Sequence, residues 1–358
     1  MIKKIFKLTA LLIIVITFVI GWYWNEYNIY LQTPISVSKS PLSKASLPKE
    51  RTEQIFSVNK GERVRDIAEN LYQQNIIQHP EYFRLYARLS HKAEKIKAGE
   101  YSLKSGMTIV DVVDLFVSGI VNQYSLTIVE GWTVKEALEH ISNDSNLIKT
   151  ADLALPYDVK NKSILAKKLG SQYSNVEGLI YPDTYKFPKG TSDFQFLKRA
   201  YDGMQKVLAQ EWEKREEKLP LKTPYEALIL ASIVEKESGV SSERSKVAGV
   251  FIRRLNKKMR LQSDPTIIYG MGDRYKGNIR RKDINEKTAY NTYQISGLPP
   301  TPIAIPGRDA IHAVLHPDKG KSLYFVADGT GGHVFSNNLK AHNRAVRQYL
   351  LKTKDKKK

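Results

Sequence analysis

The pattern of apolar and polar positions begins with one long apolar stretch close to the N-terminus. No charged residue lies between Leu8 and Trp24, and with residues 5–7 the stretch reaches the ~20 residues that a bilayer-crossing helix needs. Three lysines lie within the first seven residues, whereas no lysine or arginine follows the stretch before Lys39. This asymmetry predicts a single-pass membrane helix with the N-terminus in the cytoplasm and the rest of the chain outside it.

A cleaved signal peptide is the alternative interpretation of this stretch. Its apolar region would be shorter and would end at small residues, whereas the exit here reads Ile20-Gly21-Trp22-Tyr23-Trp24. The pattern therefore favours a retained anchor, and the three aromatic residues would lie at the outer membrane interface.

Beyond residue 52 the pattern changes to short alternating and helical periods, which predicts folded α+β structure. Phe56-Ser57-Val58 alternates like a strand, Lys60-Gly61 forms a turn, and apolar residues then recur at helical spacing. A similar strand, turn and helix returns between Leu126 and Ile141, and a partial copy lies at residues 106–116. The arrangement resembles LysM-type glycan-binding modules, although a packing module that binds no ligand would have the same pattern.

Prolines interspersed with serines between the apolar stretch and the first strand are typical of a linker. The densely basic C-terminus is typical of a solvated tail. We therefore expect five segments: 1–24, cytoplasmic tip and membrane anchor; 25–51, linker; 52–125, small module; 126–350, larger domain; 351–358, basic tail.

The strongest helical pattern lies in the second half of the chain. Residues 194–218 form a long amphipathic pattern that Pro220 ends. Thr223-Pro224-Tyr225-Glu226 then supplies the cap, the first-turn proline and the capping-box glutamate of a new helix, which the pattern extends through Ser238.

Glu237 is the candidate catalytic residue of this helix. With about 100° of rotation per residue, it falls on the face that carries Leu230 and Ile233, whereas Glu235 points elsewhere. Burial at the end of an apolar stripe raises the pKa of a carboxyl, and a protonated carboxyl near neutral pH can act as a general acid on a glycosidic oxygen. The alternative is a glutamate at a helix end that turns to solvent.

Polar loops follow this helix, and they contain the side chains that proteins use to bind sugars. Residues 261–270 begin with a compact polar run, residues 290–293 supply an amide and two phenols, and prolines stiffen residues 297–307. Aromatic rings stack on apolar sugar faces, while amides and carboxylates bond to sugar hydroxyls.

The composition narrows the classes of function. The formal net charge of +19 favours an anionic partner, yet no nucleic-acid-binding module is present. The absence of cysteine excludes disulfides and thiolate chemistry. The seven histidines lack H-E-x-x-H spacing, no G-x-S-x-G motif occurs, and Gly270-Met271-Gly272 lacks a phosphate-binding context. His316 and His333 are interpreted as structural residues or as residues at the rim of a glycan cleft.

Taken together and in this order, the motifs resemble the YceG-like (MltG) family of endolytic murein transglycosylases, over nearly the whole chain. Ser263 stands where threonine is expected. The resemblance implies an α+β fold with an N-terminal transmembrane helix, a small LysM-like module and a larger catalytic domain. It rests on Ser232-Ile233-Val234-Glu235-Lys236-Glu237, residues 261–270, 290–293 and 297–300, His316-Pro317, residues 324–329, Gly331-Gly332-His333 and His342-Asn343.

The resemblance also implies that Glu237, the second glutamate of the Glu-Lys-Glu run, is the catalytic acid. It would cleave the β-1,4 bond between N-acetylmuramic acid and N-acetylglucosamine within glycan strands, leave 1,6-anhydro ends, and so terminate or trim nascent strands. The expected substrate-binding residues are Ser238, Gln262, Asp264, Thr266, Tyr290, Asn291 and Tyr293.

The implied partners are peptidoglycan glycan strands, the bacterial cytoplasmic membrane with the catalytic domain on its periplasmic side, and cell-wall synthases. No cofactor, metal ion or nucleic acid is expected. The alternative function is a non-enzymatic, membrane-anchored scaffold that binds the cell wall. Such a scaffold would keep the LysM-like module but would not need a glutamate on the apolar face of the helix.

Overall fold

The computed structural model describes residues 2–35, 37, 53–150 and 159–351. Helices and short strands are mixed throughout, which confirms the α+β class. The helices are α1 (Ile2–Gln32), α2 (Val64–Gln73), α3 (Pro80–Leu89), α4 (Ile109–Ser118), α5 (Val134–Asn143), α6 (Val159–Leu169), α7 (Asp193–Glu213), α8 (Pro224–Glu237), α9 (Arg244–Asn256), α10 (Asp264–Met271), α11 (Arg281–Asn285), α12 (Arg308–Leu315) and α13 (Leu339–Val346). The strands are β1 (Glu53–Val58), β2 (Gly99–Lys104), β3 (Gln123–Thr127), β4 (Thr184–Pro188), β5 (Tyr324–Ala327) and β6 (His333–Ser336).

The chain divides into two compact units. Unit 1 comprises Met1–Tyr124 and Phe187–Lys189, and unit 2 comprises Ser125–Lys186 and Gly190–Lys358. The strands pair as β1 with β2, β3 with β4 and β5 with β6.

In unit 1, helices α2 and α3 follow β1 and precede β2 along the chain. Strands β1 and β2 pair in an antiparallel sheet. Its core is aromatic: Phe56 stacks on Phe116, and Tyr101 packs against Phe116 with ring centroids 4.8 Å apart. The hydroxyl of Tyr101 donates to the carbonyl of Lys97 at 2.6 Å, so the one polar atom of this ring has a partner inside the core.

Helix α1 joins a membrane-compatible segment to the core of unit 1. Phe6–Gln32 is long and apolar enough to cross a bilayer. Close to its end, however, Tyr27 and Leu31 are buried, as are Ile35 and Val37 beyond it, and all four belong to the hydrophobic core of unit 1. Residues 25–32, which the sequence placed in a linker, are therefore helical; residues 36 and 38–51 lie outside the described part.

Hydrogen bonds reinforce this junction. The hydroxyl of Tyr30 accepts from the backbone N–H groups of Gln78 and His79 at 2.7 and 2.9 Å. The N–H of Ile35 donates to the carbonyl of Met107 at 2.7 Å. Since polar and apolar contacts both hold it, the end of α1 is part of the fold of unit 1.

Helix α8 is the central helix of unit 2. Thr223 accepts a hydrogen bond from the N–H of Glu226 at 3.2 Å, and Pro224 occupies the first turn, as the sequence predicted. All eight residues from Ala227 to Val234 are buried, because α7, α9, α10 and α12 pack around the helix. A helix buried on all sides carries no amphipathic stripe.

Two other features were not evident from the sequence pattern: the residue at which α7 ends, and the presence of α6. Helix α7 ends at Glu213 rather than at residue 218, because the N–H of Glu216 donates to Leu315 and Lys218 adopts a positive φ of 63°. Helix α6 lies in a polar stretch of the sequence that has no clear apolar period. It buries only Leu165, Ala166 and Leu169 among its described side chains, which is too few apolar positions for a clear pattern.

The packing of α1 predicts that alanine substitutions at Leu31 and Ile29 change the stability of unit 1 by different amounts. Leu31→Ala should destabilise unit 1 by roughly 2–5 kcal/mol, because it removes a buried side chain from the core. Ile29→Ala is the matched control, since Ile29 is 61% exposed and its loss should change stability by no more than about 0.5 kcal/mol. Thermal unfolding in detergent measures both, and equal Tm values for the two variants would contradict the packing.

Candidate active site

The carboxyl of Glu237 lies at the C-terminal end of α8, where the helix opens into a cleft. Burial raises its pKa to about 7, from an ordinary value of 4.5. The Asp264 carboxylate contributes to this rise, whereas a hydrogen bond from Ser263 and the charges of His333 and Arg254 oppose it. Near neutral pH this group is therefore present both as the acid and as the base.

One hydrogen bond orients this carboxyl. Ser263 Oγ donates to Glu237 Oε1 at 2.5 Å, and the Ser263 side chain is buried. The backbone of Ser263 is itself fixed, because its N–H donates to Thr292 Oγ1 at 2.9 Å. The hydroxyl that the sequence places where threonine is expected thus contacts the candidate catalytic group.

The cleft has a volume of about 530 Å³ and combines polar and aromatic side chains. Tyr293 donates its hydroxyl to Asp264 at 2.7 Å on one side. The β5–β6 hairpin and α13 form the other side. The lining residues are Glu237, Arg254, Leu261, Gln262, Asp264, Tyr293, Tyr324, Phe325, Val326, Ala327, His333, Leu339, His342, Asn343 and Val346.

Arg254 connects the two sides of this cleft. Its Nη1 donates to the carbonyl of Leu261 at 2.6 Å and its Nε donates to the carbonyl of Leu323 at 2.7 Å. Its guanidinium also lies 5.1 Å from the ring centroid of Tyr324. This buried cation therefore holds the loop before α10 against the start of β5.

The two histidines of the cleft have different partners. His333 Nδ1 lies 2.8 Å from Glu243 Oε2, and its ring meets Phe325 edge to face. His342 stacks on Tyr324 with ring centroids 5.2 Å apart. Burial lowers the pKa of His342, so this ring is neutral at neutral pH, consistent with a stacking role.

Four of the expected site residues line the cleft: Glu237, Gln262, Asp264 and Tyr293. Gln262 does so with a positive φ of 53°, and its N–H donates to the carbonyl of Thr292. The left-handed backbone at this position turns the chain just before Ser263.

The other four expected residues do not line it, because their polar atoms bond within the scaffold. Ser238 Oγ donates to the carbonyl of Val240. Thr266 Oγ1 donates to the carbonyl of Ser263, and Tyr290 pairs with the Thr301 hydroxyl. The Asn291 amide donates to three carbonyls, those of Asp283, Ile284 and Glu286. The polar atoms of these four side chains are therefore bonded within the protein, and the four residues are not among those that line the cleft.

Among the lining residues that had received no binding role from the sequence, five have polar or ionisable side chains: Arg254, Tyr324, His333, His342 and Asn343. All except Arg254 lie in motifs that carried the family resemblance, and His333 had been considered a rim residue. Arg254 lies within the apolar pattern of α9, where the sequence predicts that the charge of an arginine is exposed to solvent. No sequence signal distinguishes it from its neighbour Arg253.

Glu235 was expected to point away from the buried face, yet its side chain is only 5% exposed. Glu235 Oε1 accepts from Arg244 Nη2 at 2.9 Å, and Oε2 accepts from the N–H of Gly307 at 2.9 Å. Burial raises its pKa, and both partners oppose that shift. Glu235 is a structural ion-pair residue, and its carboxyl is not among those lining the cleft.

Comparisons with known proteins give matches that extend over residues of both units. A model of the YceG-like family matches residues 56–348. The chain is 30% identical to an endolytic murein transglycosylase of Bacillus subtilis, over 84% of this chain and 86% of the relative. It is 27% identical to a protein of the same name from Streptococcus pneumoniae, over 97% of this chain and 65% of that protein.

A solved structure shares the fold. The 2.6 Å crystal structure of a Listeria monocytogenes protein described as yceG-like superposes with a TM-score of 0.53 at 29% identity. The match covers 82% of this chain and 99% of the Listeria chain. On the family match and the relatives together, this chain belongs to the YceG-like family.

Proposed function

We propose that this protein is a lytic transglycosylase that cleaves murein glycan strands at internal bonds, with Glu237 as its single catalytic acid and base. Its Bacillus relative bears the name endolytic murein transglycosylase. The observation that carries the proposal is the Glu237 carboxyl, with a pKa of about 7, at the cleft. The cleft volume of about 530 Å³ falls in the range of small-ligand sites, as a subsite for one or two sugars requires.

In the first step, protonated Glu237 donates its proton to the oxygen between N-acetylmuramic acid and N-acetylglucosamine. The bond from this oxygen to C1 of the muramic acid breaks, and N-acetylglucosamine leaves with a free 4-hydroxyl. Positive charge develops at C1, and the carboxylate that has just formed favours it electrostatically.

In the second step, the Glu237 carboxylate takes the proton of the muramic acid 6-hydroxyl while that oxygen bonds to C1. The product is a 1,6-anhydro end, the proton has returned to Glu237, and water is not consumed. One carboxyl with a pKa near the working pH therefore serves both steps, whereas ordinary glycosidases use two.

Hydrolysis is the second candidate reaction, because Asp264 also lines the cleft. As a base it would have to activate a water molecule. Asp264 Oδ1 already accepts from the Tyr293 hydroxyl, and Asp264 raises the pKa of Glu237. We therefore assign Asp264 to substrate binding and to tuning of Glu237, together with Gln262 and Tyr293.

For Ser238, Thr266, Tyr290 and Asn291 we propose an indirect role, in which they shape the loops that receive the glycan. We further propose that residues 52–125, within unit 1, form a LysM-like module that positions the strand, on the basis of their strand–turn–helix units. The alternative is a spacer. Retention of unit 1 on insoluble murein would support glycan binding, and its passage into the supernatant would identify a spacer.

Replacement of the two buried glutamates of α8 should separate catalysis from stability. Glu237→Gln removes the transferable proton and should lower the rate by roughly 10²–10⁴-fold or more, with Tm nearly unchanged. Glu235→Gln leaves Arg244 without its closest charged partner, so it should cost about 1.5–3 kcal/mol of stability and keep most of the activity. Mass spectrometry of products from purified glycan strands measures the rate, and calorimetry measures Tm.

The same product analysis tests the reaction class. Anhydro ends are lighter than reducing ends by the mass of one water molecule, and we expect only anhydro ends. Reducing ends would identify a hydrolase. Full activity of Glu237→Gln would remove the enzymatic role of this cleft and favour the wall-binding scaffold.

Two neighbours of Glu237 should shift the pH profile in opposite directions. The Ser263 hydroxyl lowers the pKa of Glu237, so Ser263→Ala should raise that pKa and move the alkaline limb to higher pH. Asp264→Asn removes a negative charge that raises the pKa, so its alkaline limb should move to lower pH. The pH dependence of kcat/KM measures both shifts, and Ser263→Thr, which keeps the hydroxyl, is the control. If the alkaline limb moves in the same direction in Ser263→Ala and Asp264→Asn, Glu237 is not the titrating acid.

We propose that α1 is a single-pass anchor in the cytoplasmic membrane, with a cytoplasmic N-terminus and the chain beyond α1 outside. A reporter that is active only outside the cytoplasm, fused after Lys358, should then be active. The lysines before the apolar stretch determine this orientation by the positive-inside rule. If instead only a reporter that requires the cytoplasm is active, the topology is the opposite one, and the cleft cannot contact murein outside the membrane.

A further inference from the structure

Three side chains outside the cleft form a group with metal-binding chemistry. Glu211 lies near the end of α7, and His312 lies on α12. His316 directly follows α12, four residues and about one helical turn beyond His312. One ligand atom from each residue lies within 4.8 Å of the others. Two imidazoles and one carboxylate are a ligand set that Zn²⁺ accepts in proteins.

The carboxylate of this group is buried and ionic. The Glu211 side chain is 5% exposed, and Oε1 accepts from Arg308 Nε at 2.8 Å. The other oxygen, Oε2, lies 2.9 Å from His312 Nδ1. The pKa of Glu211 lies below its ordinary value because these hydrogen bonds outweigh the effect of burial. A carboxylate held by arginine through one oxygen can still bind a metal ion through the other.

The histidines supply an observation that the ion pair does not explain. His316 Nε2 is buried and has no hydrogen-bond partner among the described residues. Buried polar atoms in proteins almost always have a partner, and a missing one requires an explanation such as an ion. The ring of His316 stacks on that of His312 with centroids 4.3 Å apart, so both imidazoles lie beside the same carboxylate.

We propose that Glu211, His312 and His316 form a site for a divalent transition-metal ion, for which Zn²⁺ is the natural probe. A tetrahedral ion with bonds of about 2.1 Å separates its ligand atoms by about 3.4 Å, so small side-chain rotations close the group around it. The His312 side chain is 58% exposed, which leaves solvent a path to the fourth position. The ion replaces the proton between Glu211 and His312 and gives His316 Nε2 a partner.

The position of the site indicates its effect. Helix α12 packs against α7, α8 and α9, and α8 carries Glu237 at its end. An ion that links α7 to α12 therefore stabilises the helices that surround α8, and it is not a participant in the reaction. The inference is independent of the proposed activity.

Isothermal titration of the full-length, tag-free protein in detergent with Zn²⁺ tests the site. We expect one ion per chain, with a dissociation constant in the micromolar range or below. At about a hundredfold excess over that constant, Tm should rise by roughly 5–10 °C. Co²⁺ in place of Zn²⁺ should give the intense visible absorption of tetrahedral coordination.

Variants locate the ligands. His316→Phe keeps the stacked ring, removes the unpartnered nitrogen and should weaken Zn²⁺ binding roughly 100-fold or more; His312→Ala should do the same. His91→Asn is the control, because His91 is an exposed histidine of unit 1 with a positive φ of 54°, which asparagine tolerates. Zn²⁺ affinity should be unchanged in this control.

Two results would overturn the inference: no binding to the unmodified protein, or wild-type affinity in both His316→Phe and His312→Ala. If either variant fails to fold, anomalous scattering from Zn²⁺-soaked crystals of the unmodified protein decides the matter. A peak between Glu211, His312 and His316 supports the site, and peaks only elsewhere exclude it.

Discussion

The desolvation of one carboxyl at the end of a helix whose middle eight residues are buried is the constraint on which unit 2 depends. Removing an ionised carboxylate from water is unfavourable, and Glu237 meets that penalty by holding its proton up to a pKa of about 7. The Ser263 hydroxyl donates to this carboxyl and keeps its ionised form accessible. Arg254 lines the same cleft, but its guanidinium donates to the carbonyls of Leu261 and Leu323 rather than to Glu237.

Two glutamates two residues apart on α8 show that partners, and not burial alone, determine what a carboxyl does. Glu235 and Glu237 both have pKa values raised by burial. Glu235 receives a guanidinium and a backbone N–H, which makes it an ion-pair residue at the Gly307 loop. Among the described residues, Glu237 receives a hydroxyl from Ser263 and no charged donor. The Glu-Lys-Glu run therefore contains one ion-paired carboxyl and one carboxyl without a cationic hydrogen-bond partner in the described part of the chain.

The sequence predicted α8, its N-terminal cap and the position of Glu237 at its end, because caps and helix ends are local features. It did not distinguish the buried side of α8, since a helix surrounded by others has no polar face from which to infer one. Ser238, Thr266 and Asn291 were assigned to substrate binding because they lie in or directly beside the motifs that carry the family resemblance. Short hydroxyl and amide side chains in turns often bond to nearby backbone groups, and these do. Arg254 was missed because its partners, such as Leu323, lie far along the chain.

The continuity between α1 and the core of unit 1 has a consequence for biogenesis. Tyr27 and Leu31 belong to a helix long enough to enter a bilayer, yet they complete a hydrophobic core made by residues that follow in the chain. With α1 inserted, that core can close only after the last turns of the helix have emerged from the lipid. For a membrane-inserted α1, insertion depth and the folding of unit 1 would be coupled in time, and a misplaced helix would leave the core of unit 1 incomplete.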